Sequence, residues 1–326
     1  MDSSSTTRSP AYILSYISHL FSLLWIWMAG FFDKFRPAPT LRLKTRTLKI
    51  VKPLGEGGFS FVYLVQDAAD GAMYALKRVR IQLPEHEERL KMEIAAHRAV
   101  TSPYVVRLVD EDVIRAGRAV TEGLLLLPFY ERGTVQDLID RTPVNEFIPL
   151  ERILKISIDI CSGLAAFHAN DPVLAFRDLK PANVLIGTNG EAVLMDLGSV
   201  SPARVTLSSR REALALQELC AETATAPFRA PELFDPPSNG KVDERSDVWA
   251  LGCTIYAMAF RNSPFDGTTT AAMSGRVFFP GRDPYGPAFR ELISSALMTD
   301  YGSRPSVAQM QEKCRVMLES SRGGQV

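Results

Sequence analysis

The pattern of apolar and polar positions splits the chain into a short, nearly charge-free stretch and a long mixed one. From Ser9 to Phe32 there is no Asp, Glu, Lys or Arg, and Tyr12 to Phe32 is apolar apart from Ser, one His and small residues. Wound as a helix, that stretch would extend ~36 Å, against ~30 Å for a bilayer core. Tyr12 and Tyr16 stand toward one end and Trp25 and Trp27 toward the other, as interfacial aromatic belts do. Ser15, Ser18, His19 and Ser22 share one helical face, which suits packing within lipid or an uncharged interfacial helix. The expectation is a membrane-anchoring helix over residues 10–32, after a polar tail and before a stiff Pro37-Ala38-Pro39 linker.

Beyond residue 40 the pattern changes to short strands and then to helices. Leu48–Pro53, Phe61–Gln66 and Met73–Val79 read as strands, Leu83–Val100 as a helix, and Leu124–Leu127 as a buried strand ending at Pro128-Phe129-Tyr130. Helical patterns follow at Thr134–Arg141, Leu150–Ala169, Ala288–Met298 and Ser306–Leu318, with another beginning at Asp247 and a short strand at Val193–Met195. Ser209-Arg-Arg-Glu212 matches a capping box that opens a helix to about Ala221.

Charge adds orientation. Lys34, Arg36, Arg42, Lys44 and Arg46 follow the apolar run while only Arg8 precedes it, so the positive-inside rule places the rest of the chain in the cytosol. Lys plus Arg equals Asp plus Glu at 37 each, which gives no reason to expect nucleic-acid binding. The four cysteines, Cys161, Cys220, Cys253 and Cys314, are scattered without C-x-x-C spacing, which points to reduced thiols rather than a disulfide frame or zinc site. Neither a Met-Gly start nor an early cysteine offers a lipid anchor.

Chemistry concentrates in Phe176-Arg-Asp-Leu-Lys-Pro-Ala-Asn183 and Met195-Asp-Leu-Gly198. Asp178 supplies a carboxylate, Lys180 a positive charge, and Asn183 and Asp196 oxygens for a hard cation, the set that phosphoryl transfer requires. Gly55-Glu-Gly-Gly-Phe-Ser60 between two strands can bring backbone amides over a polyphosphate, with Gly55 and Gly57 allowing close approach. Lys77 could reach the α- and β-phosphates if a carboxylate such as Glu93 held it, and composition alone does not separate Glu87, Glu88 and Glu93. Leu127, Pro128 and Tyr130 would border an adenine ring.

The order of Gly loop, strand Lys, helix Glu, R-D-x-K-x-x-N, D-x-G and A-P-E resembles the eukaryotic protein kinases over residues 48–318. Longer strings, among them L-G-E-G-G-F-S, L-L-L-P-F, V-L-M-D-L-G-S, F-R-A-P-E-L-F and D-E-R-S-D-V-W-A-L-G-C, resemble the Numb-associated kinases, especially their membrane-anchored, Golgi-associated Ser/Thr branch. The resemblance implies an α+β, two-lobed fold: tail and anchor over 1–40, a β-rich lobe with one long helix over 41–129, and a mainly helical lobe over 130–326 with an activation-segment helix near 209–221. It implies ATP with magnesium, or alternatively manganese, and transfer to Ser/Thr of protein substrates at a cytosolic endomembrane face. Asp178, Lys180 and Thr225 would be catalytic. Gly55, Gly57, Gly58, Val62, Ala75, Lys77 and Glu93 would hold the nucleotide with Leu127, Pro128, Tyr130 and Asn183; Asn183 and Asp196 would hold metal. Glu232 would pair with Arg304, and Asp247 would anchor the catalytic loop.

The chain departs from the family pattern at Phe176, where His is usual, at Leu197 for Phe, at Ser60 for the third loop Gly, and in carrying an apolar run where the branch has acylation sites. Two readings of activation stand side by side: a prefolded helix at 209–221, or a phosphate on Thr206, Ser208, Ser209 or Thr223 received by Arg177. The alternative function is an inactive kinase-fold scaffold, opposed by the presence of Lys77, Asp178, Asn183 and Asp196. Oligomeric state is left open.

Overall fold

The computed structural model describes residues 40–57, 60–117 and 119–323. The expected anchor over 10–32, its tail and linker, and Gly58 lie outside the described residues. Among the described residues no helix is long and apolar enough to cross a membrane.

Strands β1 (Thr40–Arg42), β2 (Thr47–Glu56), β3 (Ser60–Asp67), β4 (Met73–Arg80), β5 (Asp110–Ala116) and β6 (Ala119–Pro128) form one sheet in the order β1-β2-β3-β4-β6-β5. Every pairing is antiparallel, as the short links of β1–β2, β2–β3, β3–β4 and β5–β6 require; β4 and β6 pair across the excursion through α1 and β5. Leu48, Val65, Leu76, Leu124 and Leu126 join Leu43 in a small core of their own. Helix α1 (Pro84–Ala99) opens on a proline with Glu85 and Glu87 in its first turn, where the missing N–H and the acidic charge suit a helix start. It crosses close to the sheet: a Cβ on Gly123 would lie 2.2 Å from Leu90 Cδ2. That contact fixes which face of α1 looks inward.

The larger lobe is helical: α2 (Val135–Arg141), α3 (Leu150–His168), α4 (Arg210–Thr223), α5 (Pro231–Phe234), α6 (Arg245–Phe260), α7 (Thr269–Ser274), α8 (Pro287–Ala296) and α9 (Val307–Gly323). Every residue of α6 from Ser246 to Ala259 is buried, as expected of a helix apolar on all sides. A Cβ on Gly252 would come within 2.8 Å of Ala296 Cβ, so this glycine permits the approach of α6 to α8. Three small strand pairs arrange the loops: β7 (Leu174–Ala175) with β10 (Ser201–Pro202), β8 (Val184–Ile186) with β9 (Ala192–Leu194), and β11 (Val205–Leu207) with β12 (Gly240–Val242).

The two lobes do not share their cores evenly. Ala96, Val100, Val105 and Val106, at the rear of α1 and in the loop after it, belong to the large-lobe core. The loop is tied there by Val106 N donating to Leu194 O at 2.8 Å and Leu194 N donating to Tyr104 O at 2.9 Å.

Most expected elements are present with shifted ends. β5 has no counterpart among the expected elements: its opening Asp110-Glu-Asp112 has poor strand propensity, and it forms by pairing with β6, a case of tertiary context overriding propensity. Helix α4 runs two residues past Ala221, to Thr223. Its N-cap is Ser209, which accepts from Glu212 N, but the Glu212 carboxylate turns to Ser208 N at 2.7 Å instead of Ser209 N. The reciprocal half of the expected capping box is therefore displaced by one residue.

Candidate active site

Strand register places four of the anticipated nucleotide residues together. Val62 lies opposite Lys77, and Ala75 lies opposite Leu127. Because directly opposed residues share a face and positions two apart repeat it, Val62, Ala75, Lys77 and Leu127 stand on one face of the sheet. Gly55, opposite Val62, is on the same side. A Cβ on Gly55 would meet nothing within 4 Å, so the backbone borders open space. Gly57 N donates to Ser60 O at 2.8 Å and closes the turn, with Ser60 serving as the first residue of β3. At the end of β6, Tyr130 O accepts from Gly133 N at 3.2 Å. That carbonyl is partly committed, and the Tyr130 N–H is the freer group there.

Lys77 Nζ donates to Glu93 Oε1 and to Asp196 Oδ1, each at 2.7 Å. Among Glu87, Glu88 and Glu93, only Glu93 is directed to Lys77; the other two pair with Lys91 on the outer face. Burial disfavours the Lys77 ammonium, but Asp196 and Glu93 outweigh it and raise its pKa. Burial pushes Glu93 up, against the pull of Lys77. Around the Asp196 carboxyl, which opens to solvent on one side, crowding by the surrounding protein favours the neutral form, but the adjacent Lys77 ammonium outweighs it and holds the carboxyl down.

The Phe176–Asn183 stretch is held from beneath. Asp247 on α6 accepts from Phe176 N at 2.8 Å, from Arg177 N at 2.9 Å and contacts His168 Nε2 at 2.9 Å. Arg177 and Asp196 have positive φ, 69° and 64°, a conformation that costs a non-glycine residue ~1–3 kcal/mol and persists only where the surroundings impose it. Phe176 is fully buried, with its ring centroid 5.6 Å from that of Phe167. It fills the place of the usual His by packing alone. Leu197 is likewise buried.

Three groups then converge on one carboxylate. Thr225 N donates to Asp178 Oδ1 at 2.8 Å. Asp178 Oδ2 receives Lys180 Nζ at 2.9 Å and Asn183 Nδ2 at 2.9 Å, and the same Asn183 amide donates to Asp178 O at 2.8 Å. Lys180 Nζ also reaches Thr225 Oγ1 at 2.6 Å. With Nδ2 committed twice, Asn183 Oδ1 keeps its lone pairs. The Asp196 side chain, 47% exposed, has a second oxygen beyond its bond to Lys77. Those two oxygens fit a hard cation that takes its remaining ligands from phosphates and water. Among the described residues no cluster of three His, Cys, Asp or Glu side chains exists to hold a metal by itself.

Elsewhere Glu232 and Arg304 are buried and bidentate, at 2.6 and 2.7 Å. Arg89, Ser199 and Arg229, none of them expected from the sequence, are each bonded to the C-terminal turn of α4: Arg89 and Ser199 bond residues 133 and 24 positions away, and Arg229 bonds the main-chain carbonyls of Ala221 and Ala224, so no local pattern of side chains marks any of them. An open groove of about 1010 Å³ between α8 and α9 contains none of the convergent groups.

Residues 48–314 match the family model described as Protein kinase domain. Serine/threonine-protein kinase 16 of Rattus norvegicus is 39% identical over 291 residues, covering 87% of this chain and 94% of the relative. The protein of the same name from Homo sapiens is 39% identical over the same shares. A probable serine/threonine-protein kinase of Dictyostelium discoideum is 31% identical over 342 residues, 82% of this chain and 93% of that one.

Proposed function

The chain belongs to the protein kinase family and is a serine/threonine kinase, and from that premise we propose how its residues share the work and where it acts. The carrying observation is the convergence of Thr225, Lys180 and Asn183 on Asp178, together with the contact of Lys77 with Asp196. ATP bound there with a divalent cation, magnesium in our reading, supplies the γ-phosphoryl group. Asp178 orients the Ser or Thr hydroxyl of a protein substrate and takes its proton. Lys180 offsets charge on the moving phosphoryl group, Asn183 and Asp196 hold the cation, and Lys77, fixed by Glu93, steadies the α- and β-phosphates. Gly55 and Gly57 would cover the phosphates, while Val62, Ala75, Leu127, Pro128 and Tyr130 would enclose the adenine.

In this reading the activation segment needs no phosphate. Arg177 donates to Ser246 Oγ at 2.8 Å and to the carbonyls of Pro202 and Ala203 at 3.1 and 3.0 Å, which leaves it little capacity for an incoming anion. The strings shared with Numb-associated kinases and the apolar run over 10–32 support a kinase anchored at a cytosolic endomembrane face, in secretory traffic. Radiolabel transfer from ATP, with Asp178→Asn as control, tests the chemistry: wild type labels a Ser/Thr protein and the variant does not, and equal labelling would overturn the assignment. Deleting residues 10–32 should release the protein from membranes; unchanged sedimentation after carbonate washing refutes the anchor.

A further inference from the structure

Four consecutive residues at the end of α4 are each tied to a different part of the molecule. Glu222 pairs with Arg89 of α1. Thr223 O accepts from Ser199 Oγ at 2.6 Å, just beyond the segment carrying Asp196. Ala224 O accepts from Arg229 Nη2 at 2.7 Å, and Thr225 N donates to Asp178. Arg229 is the unusual member. It is only 9% exposed, and among the described residues it makes no ion pair with a carboxylate and its Nε has no hydrogen-bond partner. Its guanidinium lies over the Phe234 ring at 4.7 Å, and besides Ala224 O it reaches Ala221 O at 3.4 Å.

A buried cation needs a counter-charge, and here the last carbonyls of α4 provide it. They are the negative end of the helix, and they lack intrahelical donors. The arrangement requires a planar fork: one edge bonds the carbonyls while the face lies on the aromatic ring. A lysine ammonium can do one of these but not both. Since Ala224 immediately precedes Thr225, a force that fixes the Ala224 carbonyl also fixes the N–H that meets Asp178. The Arg89–Glu222 pair is solvent-exposed and adds little alone; Arg229 and Ser199 are the better-placed holds.

We infer that Arg229 is a positioning residue for phosphoryl transfer to protein, acting through the last turn of α4 to seat Thr225 against Asp178, with Ser199 as a second hold on that turn. This rests on the proposed roles of Asp178 and Thr225. Nothing in the chain of contacts passes through Lys77 or the Gly loop, so the nucleotide half is untouched.

The test uses the full chain with dephosphorylated casein as acceptor. Arg229→Lys and Arg229→Met are each expected to lower kcat/KM for casein about tenfold or more while KM for ATP and thermal midpoint stay near wild type. Ser199→Ala is expected to give a smaller loss. The double variant Arg229→Lys/Ser199→Ala should lose less than the product of the single losses, as residues acting through one turn do. Unaltered casein kinetics in Arg229→Lys overturn the inference. So do equal losses for casein and ATP accompanied by a lower thermal midpoint, which would mark a generic structural role, and so does a strictly multiplicative double variant. Failure of the wild type to label casein at all, under magnesium or manganese, would instead strike the proposed catalytic reading.

Discussion

Asn183 grips Asp178 through a single nitrogen, Nδ2, which lies 2.9 Å from the side-chain oxygen Oδ2 and 2.8 Å from the main-chain oxygen of the same residue. This double contact determines both which way the Asn183 amide faces and the plane of the Asp178 carboxylate. The residue proposed to hold the cation thus also aims the residue proposed to take the proton.

Asn183→Ala should therefore produce two defects together. The divalent-ion concentration for half-maximal activity is expected to rise about 10–100-fold, and kcat at saturating metal should remain below wild type because Asp178 is no longer aimed. Titrating activity against magnesium chloride separates the two. Full recovery of kcat at high metal would argue against the aiming role.

Glu93→Gln leaves the shape of the Lys77 site intact and removes one charge. A hydrogen bond to a charged group is worth about 1.5–3 kcal/mol, so kcat/KM for ATP should fall by roughly 10–150-fold at ~1.4 kcal/mol per factor of ten. Glu87→Gln and Glu88→Gln, whose carboxylates pair with Lys91 on the outer face, should leave ATP kinetics unchanged. Steady-state kinetics on the three variants checks this.

His97 makes the fold acid-sensitive. It is 8% exposed, with Nδ1 at 3.2 Å from Val106 O and Nε2 buried without a hydrogen-bond partner among the described residues. Burial is the main cause holding its pKa down at about 4 from the usual 6.5; Lys77 adds to the depression, while the Val106 contact and Asp196 oppose it. The unfolded chain thus takes up the proton more readily. The stability due to neutral His97 is complete above the unfolded pKa, 6.5, and is lost as pH falls toward the folded one, about 4. The loss is on the order of 2 kcal/mol at pH 5. Urea unfolding at pH 7 and pH 5 should show it, and His97→Leu should remove that part of the pH dependence.

Arg304 and Glu232 form a buried pair, with the guanidinium also 5.0 Å from the Trp249 ring centroid. Removing one partner strands a charge, so Arg304→Met is expected to cost about 3–5 kcal/mol, and joining it to Glu232→Leu should restore much of that loss. Denaturant midpoints of the two variants decide the point. Equal destabilisation by the single and double changes would show that packing, not stranded charge, dominates.

The stretch proposed to be catalytic is legible because phosphoryl transfer demands particular side chains a few positions apart in one loop, so Asp178, Lys180 and Asn183 announce themselves. The start of α4 is legible for a similar reason, since Ser209 caps it locally. Glu93 could not be separated from Glu87 and Glu88 because the choice depends on the inward face of α1, which the fit of Leu90 against Gly123 decides. β5 stayed hidden behind its acidic opening. Arg229 sits in F-R-A-P-E, but its partners are main-chain carbonyls, and carbonyls leave no mark in a sequence.

The membership of Ala96, Val100, Val105 and Val106 in the large-lobe core means that the seam of the molecule does not coincide with any cut in the chain. A polypeptide ending at Phe129 would leave those side chains without cover, and one beginning at Tyr130 would miss part of its own interior. Neither half is expected to be an autonomous folding unit. In hydrogen exchange, the amides of Val106 and Leu194, joined by their cross-lobe bonds, should open with the helical lobe even where the nearby sheet exchanges earlier.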